Sequence, residues 1–135
     1  MKGPKHLLDA SALLALLLRE PGYEAVMRVL DDCGIHGLNL SEVIRRMTIL
    51  GASQDEIEGI LEDIDLVVDD HFGVAQAKDV GFMASAAKKH RLSLADCVCL
   101  TTARRTGQTV ITADRKWSEI PNLELAIIQI RPIAK

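Results

Sequence analysis

Residues 93–117 read SLADCVCLTTARRTGQTVITADRKW. From Ser93 to about Arg105 the stretch is a helix, apolar on most of its faces until Arg104, so it should be largely buried, and Gly107 closes it. TVIT, residues 109–112, is then a short β-branched strand that runs into an acid, Asp114. A buried helix feeding a brief apolar strand is half of a βαβ unit, and the rest of the chain can be read for the same alternation.

Upstream, Lys5–Leu8 is a strand and Ser11–Arg19 a helix stopped by Pro21. Gly22–Asp32 reads as a second helix with Ala25, Val26, Val29 and Leu30 on one side. CGIHGLNL, residues 33–40, is a short second strand weakened by Gly34 and Gly37. SEVIRRMTILG is helical up to Gly51, and Ser53 opens another helix, with Glu56 three residues on completing a capping box. Leu66–Val68 is a brief strand, Phe72–His90 a helix, and LAIIQI, residues 125–130, the last strand. Strands alternating with helices of this length predict an α/β fold whose mainly parallel sheet is covered on both sides. No repeat, low-complexity tract or Pro/Gly/Ser linker interrupts the chain, so one domain over residues 1–135 is expected.

Composition restricts the partners. With 48% hydrophobic but only 3% aromatic residues, the core is built from aliphatic side chains, and few rings are present on which a nucleobase could stack. The net charge of −3 hides a segregation: 8 acids and no base fall between Gln54 and Asp70, and the remaining 16 basic and 11 acidic residues balance at +5. A basic surface elsewhere, or simply solvated helix faces, are the two readings of that imbalance. Cys33, Cys97 and Cys99 form no CxxC pair, so reduced, buried thiols are expected rather than a zinc site or a disulfide framework. Lys2 and Lys5 ahead of Leu7–Leu18 imitate a secretory signal, but Asp9 interrupts the apolar run and Arg19-Glu20-Pro21 stands where small cleavage-site residues belong. The run is also too short to span a bilayer. A cytoplasmic protein with no membrane association is the expectation.

Asp9 raises the central question, because a charge inside KHLLDASALLALLLREPG, residues 5–22, is costly to desolvate unless it is paired, hydrogen-bonded or bound to a cation. In an open parallel sheet, sites gather at the carboxyl ends of the strands. Asp9 follows the first strand, Glu42 the second and Asp114 the TVIT strand, while Asp96 lies in the first turn of the helix before it. Each has a structural alternative. Asp9 can cap the helix beginning near Ala10, Asp114 the turn at Arg115–Trp117, and Asn39 with Glu42, like Ser93 with Asp96, has capping-box spacing. Capping does not explain why all four fall on one predicted edge. Carboxylates crowded there would raise one another's pKa values. A hard dication such as Mg²⁺ or Mn²⁺ relieves the repulsion, activates a bound water and stabilises charge on a phosphoryl oxygen. Hydrolysis of a phosphodiester is the chemistry this implies.

LLDASALLALLL, LNLSEV, LSLADCVCLTTARRTG and TVITADRKW, in that order, resemble the PIN-domain ribonucleases, and most closely the VapC-type toxins of bacterial and archaeal toxin–antitoxin pairs. The resemblance covers essentially the whole chain. It implies a PIN-like three-layer α/β/α sandwich and a Mg²⁺- or Mn²⁺-dependent endoribonuclease toxin of a type II system. Carried over position by position, it makes Asp9, Glu42, Asp96 and Asp114 the catalytic and metal-binding set. Ser11 and Thr112 match hydroxyl positions that help orient a ligand or water, with ordinary turn hydrogen bonding as the alternative. Many relatives carry a further acid after the fourth, where this chain has Arg115, Lys116 and Trp117; Trp117 is expected to pack.

An acidic pocket needs flanking cations to admit a polyanion. Arg115 and Lys116 are the first candidates for RNA contact and Arg45 and Arg46 the next; His6, His36, His71 and His90 share no ligand spacing. The resemblance also implies a homodimer and a cognate antitoxin lying in an apolar groove between helices. Leu13, Leu17, Val26, Met27, Leu30, Met47 and Leu50 could line it, core packing being the alternative. Two competing readings are a receiver-like Mg²⁺-binding signalling domain and a catalytically inactive PIN-fold interaction module. A receiver wants paired acids after its first strand and a Lys after its last; here Asp9 stands alone and Arg131-Pro132 follows the last strand.

Overall fold

The computed structural model of the chain describes residues 3–131; the ends of the expected 1–135 span, with Lys2 and Pro132, lie outside them. In chain order the elements are β1 (His6–Leu8), α1 (Ala10–Leu18), α2 (Tyr23–Val29), β2 (Cys33–His36), α3 (Gly37–Ile49), α4 (Gln54–Ile64), β3 (Val67–Asp69), α5 (Val74–Gly81), α6 (Ala84–His90), α7 (Leu94–Thr106), β4 (Thr109–Thr112) and β5 (Ile127–Gln129). The strands form one sheet in the order β3-β2-β1-β4-β5, and every pairing in it is parallel.

Register and pleat explain the layering. Leu8 pairs with Ile35 and Ile111, and Leu7 with Gly34 and Val110, so successive residues point to opposite faces. Leu8, Ile35 and Ile111 bury with Leu13, Leu16, Val26, Val43, Met47 and Ile57, residues of α1 to α4. Leu7 and Val110 bury with Val80, Met83, Val98, Leu100 and Trp117 on the other side. The result is the expected three-layer α/β/α sandwich. As anticipated, α7 is buried along most of its length, from Ala95 to Ala103 apart from Asp96, and Cys33, Cys97 and Cys99 are free and buried. The glycine that weakened the β2 reading has a packing reason: a Cβ at Gly34 would come within 3.0 Å of both Pro4 Cγ and the Val67 carbonyl oxygen. Only a glycine lets those neighbours approach.

Three local expectations are corrected. The helix read as beginning at Ser41 starts at Gly37, because His36 acts as its N-cap, Nδ1 accepting from the Leu38 N–H. The single helix read over Phe72–His90 is two, α5 and α6, with a turn at Phe82–Met83; Gly81 is a poor helix former and yields where the chain bends. The last turn of the helix read over Gly22–Asp32 tightens into a 3₁₀ segment at Leu30–Asp32 that feeds β2 directly.

From β1 the chain winds outward through β2 to β3, then crosses back to place β4 on the other side of β1. This reversal creates a switch point at the carboxyl ends of β1 and β4, where α/β sheets open a crevice.

Candidate active site

Asp9 leaves β1 and caps α1. Its carboxylate is 3% exposed. Oδ1 accepts from the Ala12 N–H at 2.8 Å and the Ser11 hydroxyl at 2.7 Å, and Oδ2 from the Thr112 hydroxyl at 2.6 Å. The two hydroxyls do more than touch Asp9. Ser11 Oγ accepts from the Ala113 N–H at 2.9 Å and Thr112 Oγ1 from the Asp114 N–H at 3.0 Å. Each hydroxyl therefore takes a backbone proton from the turn after β4 and gives its own to Asp9. Turn hydrogen bonding and carboxylate orientation, posed as alternatives, are here one network.

Every donor to Asp9 is neutral, and burial outweighs them. Burial pushes its pKa from 3.8 up to about 6, with the nearby Asp96 adding to the rise against the hydrogen bonds from Thr112, Ser11 and Ala12. Asp96, in the first turn of α7, closes a capping box: the Ser93 N–H donates to Oδ2 at 2.9 Å while Ser93 Oγ accepts from the Asp96 N–H at 3.1 Å. Burial raises its pKa, the Ser93 bonds and Lys116 lower it, and Asp114 raises it again. Glu42 projects from the second turn of α3, where burial and then Asp96 raise its pKa against Arg45. Asp114 caps a 3₁₀ turn at Arg115–Glu119, Oδ1 accepting from the Lys116 N–H at 3.1 Å.

Asp96 is thus within electrostatic reach of each of the other three acids and stands at the centre of the set. A buried thiol reports the same convergence: Cys99 is raised well above its ordinary range by burial and then by Asp9, Asp96 and Glu42 together. Capping and convergence both hold for Asp9, Asp96 and Asp114; Glu42 caps nothing, since α3 begins at Gly37.

Among the described residues no group of three or more His, Cys, Asp or Glu side chains stands placed to hold a metal ion. The donor set still suits a particular kind of ion. All four are hard oxygen donors, and Asp9 carries a buried charge with no cationic partner. Mg²⁺ is commonly held through one or two carboxylates while it keeps several waters, so a loose, uncompensated carboxylate cluster fits it. Zinc, which favours a tight set of nitrogen and sulfur ligands, finds none here.

The cations divide into two groups. Arg45 and Arg46 are exposed on α3. Arg115 donates through Nε to the Arg131 carbonyl at 3.0 Å, and Lys116 Nζ donates to the Arg91 carbonyl at 2.8 Å and lies 3.6 Å from Asp114 Oδ2. Both cations expected at a substrate therefore also make contacts within the fold, Arg115 from an exposed and Lys116 from a partly exposed position. Trp117 packs, at 1% exposure.

Two residues with no site role in the sequence reading belong to this region. Asn39 is 1% exposed, donates through Nδ2 to the Ala95 carbonyl at 3.2 Å, and so ties the helix of Glu42 to the helix of Asp96; its Oδ1 is buried with no partner among the described residues. The signal was available, because Asn39, Val43 and Met47 recur every four residues along one buried face. Gln129 donates to the Asp114 carbonyl at 2.8 Å and had no signal beyond its strand. A surface depression of about 970 Å³ runs from Pro4 and Lys5 past Gly34 to Asp69 and His71 and contains none of the four acids. The acids gather instead at the carboxyl-end crevice, where strand ends from both halves of the sheet meet.

Solved structures share this architecture. VapBC from Salmonella typhimurium, described as DNA-bound, aligns with a TM-score of 0.70 at 18% identity, covering 94% of this chain and 98% of that one. VapBC-1 from nontypeable Haemophilus influenzae gives 0.67 at 18%, covering 94% and 98%, and FitAcB from Neisseria gonorrhoeae 0.62 at 19%, covering 93% and 97%. At such identities the likeness establishes the fold. No curated protein sequence matches significantly. The match to the PIN domain family spans residues 6–123, from the first strand through all four acids to the loop before β5, and the chain belongs to that family.

Proposed function

We propose that the chain is a Mg²⁺- or Mn²⁺-dependent endoribonuclease of the VapC toxin type, acting in the cytoplasm and restrained by a cognate antitoxin. The observation that carries the reading is the buried Asp9 carboxylate, held by neutral donors within electrostatic reach of Asp96 at the switch point of the sheet. Asp9, Asp96, Glu42 and Asp114 would hold the ion, which supplies an activated water and neutralises charge on the scissile phosphate. Ser11 and Thr112 keep Asp9 aimed and, through the Ala113 and Asp114 amides, hold the β4 turn against it. Arg45 and Arg46, exposed on the helix that carries Glu42, counter the repulsion between the acids and an approaching RNA.

The solved relatives are VapBC and FitAcB, and together with the resemblance to VapC-type toxins they support a protein partner. Of the expected groove residues, Leu13, Val26 and Met47 are core, leaving the half-buried Leu17 and Leu30 and the exposed Met27 and Leu50 for such a partner. Homodimerisation stays part of the proposal. No helix among the described residues is long and apolar enough to cross a membrane. The receiver alternative is disfavoured by strand order: β3-β2-β1-β4-β5 is not the 2-1-3-4-5 arrangement of such domains.

The test is direct. Asp96→Asn and Asp9→Asn should abolish RNA cleavage and growth inhibition by a folded protein. Cleavage retained by either purified variant rejects the nuclease, and a folded wild type that neither binds Mn²⁺ nor cuts RNA favours the inactive interaction module.

A further inference from the structure

We propose that Lys116 is a built-in cation for the Asp114 end of the acidic cluster, and that its ammonium limits this chain to one divalent ion. The proposal rests on the metal-binding reading above and concerns how many ions the cluster takes.

Residue 116 engages both oxygens of Asp114. Its backbone N–H donates to Oδ1 at 3.1 Å and its ammonium stands 3.6 Å from Oδ2. The ammonium, on a side chain 39% exposed, also donates to the Arg91 carbonyl at 2.8 Å. Arg91 is the left-handed C-cap of α6, two residues before the Ser93 that caps α7 and braces Asp96. Lys116 therefore joins the loop leading into Asp96 to the turn that presents Asp114. Arg115 offers no substitute, since its guanidinium is turned to the Arg131 carbonyl.

Charge balance gives the count. Four carboxylates and one ammonium leave three negative charges; one dication leaves a single negative charge, and a second would reverse the sign. A second ion would also have to displace the ammonium from Asp114 Oδ2, against like-charge repulsion that acts at close range.

The test is the stoichiometry of Mn²⁺ bound to the purified chain, read from the electron paramagnetic resonance signal of free Mn²⁺ during titration, with folding checked by circular dichroism. Wild type should bind one Mn²⁺ per chain. Lys116→Gln keeps a donor for the Arg91 carbonyl but loses the charge, and Lys116→Met loses both while keeping the stem; each should bind two. Lys116→Arg should stay at one. Two Mn²⁺ on wild type, or one on Lys116→Gln with unchanged affinity, overturns the assignment while leaving the metal-binding reading intact. No Mn²⁺ on wild type overturns both.

Discussion

Asp9→Asn removes a charge that the fold accommodates at a cost, and pH exposes that cost. A carboxyl whose pKa rises from 3.8 to about 6 on folding holds its proton more tightly in the native state. Its contribution to stability is fully present below pH 4 and is lost as pH rises through 6. At 1.36 kcal/mol per pKa unit, a rise of about two units amounts to about 3 kcal/mol by pH 8. Asparagine has the same shape and does not titrate. The stability of Asp9→Asn relative to wild type should therefore improve by about 3 kcal/mol between pH 4 and pH 8, or on the order of 10 °C in Tm for a domain of this size. Thermal unfolding followed by circular dichroism, with chelator present, measures it across that range. A Tm difference that stays flat with pH refutes the reasoning, because it would mean that Asp9 is not a buried, uncompensated acid. Added Mn²⁺ should then close most of that gap at pH 8. Saturation at a hundred times Kd stabilises a binding-competent chain by about 2.7 kcal/mol, so wild type gains while the variant does not.

Other expectations follow from individual contacts. Thr112→Val deletes the donor to Asp9 Oδ2; a hydrogen bond to a charged group is worth about 1.5–3 kcal/mol, so the Asp9 titration seen by carboxyl carbon NMR should move up by about one to two pKa units, and an unchanged midpoint would contradict the network. Asn39→Ala cuts the tie to the Ala95 carbonyl and leaves a void, costing about 2 kcal/mol in urea unfolding; an effect below measurement would show that the amide holds nothing. Ile111→Ala, at 1% exposure in the centre of the sheet, should cost about 2–5 kcal/mol, and a much smaller loss would mean that the core rearranges around it.

Much of this was legible before any coordinates, for reasons that differ by element. Periodicity and Gly107 marked α7 and β4 because a buried helix and a strand leave different apolar spacings. Ser53 and Ser93 announced their helices because capping boxes are local, and both form as read. Legibility ended where a long-range contact decided the outcome. Nothing local said that a histidine would cap α3, so Asn39 was read as a cap when it is a buried strut between α3 and α7. Strand ends predicted that Asp9 and Asp114 share an edge. They did not reveal that Ser11 and Thr112 relay two amide protons between them, since those partners are more than 100 residues apart. Lys116 is expected at the substrate from its place beside Asp114, and only the structure shows that its ammonium also donates to the Arg91 carbonyl.

The separation along the chain has a consequence for synthesis. Asp9 is made 103 residues before Thr112, whose hydroxyl holds its Oδ2, and ahead of the Ala113 and Asp114 amides that complete the network. An unfinished polypeptide that stops short of β4 has neither the second neighbour of β1 in the sheet nor the partners that fix Asp9. Were the chain to cut RNA as proposed, it would stay harmless to the message and ribosome producing it until β4 and the turn after it have been made.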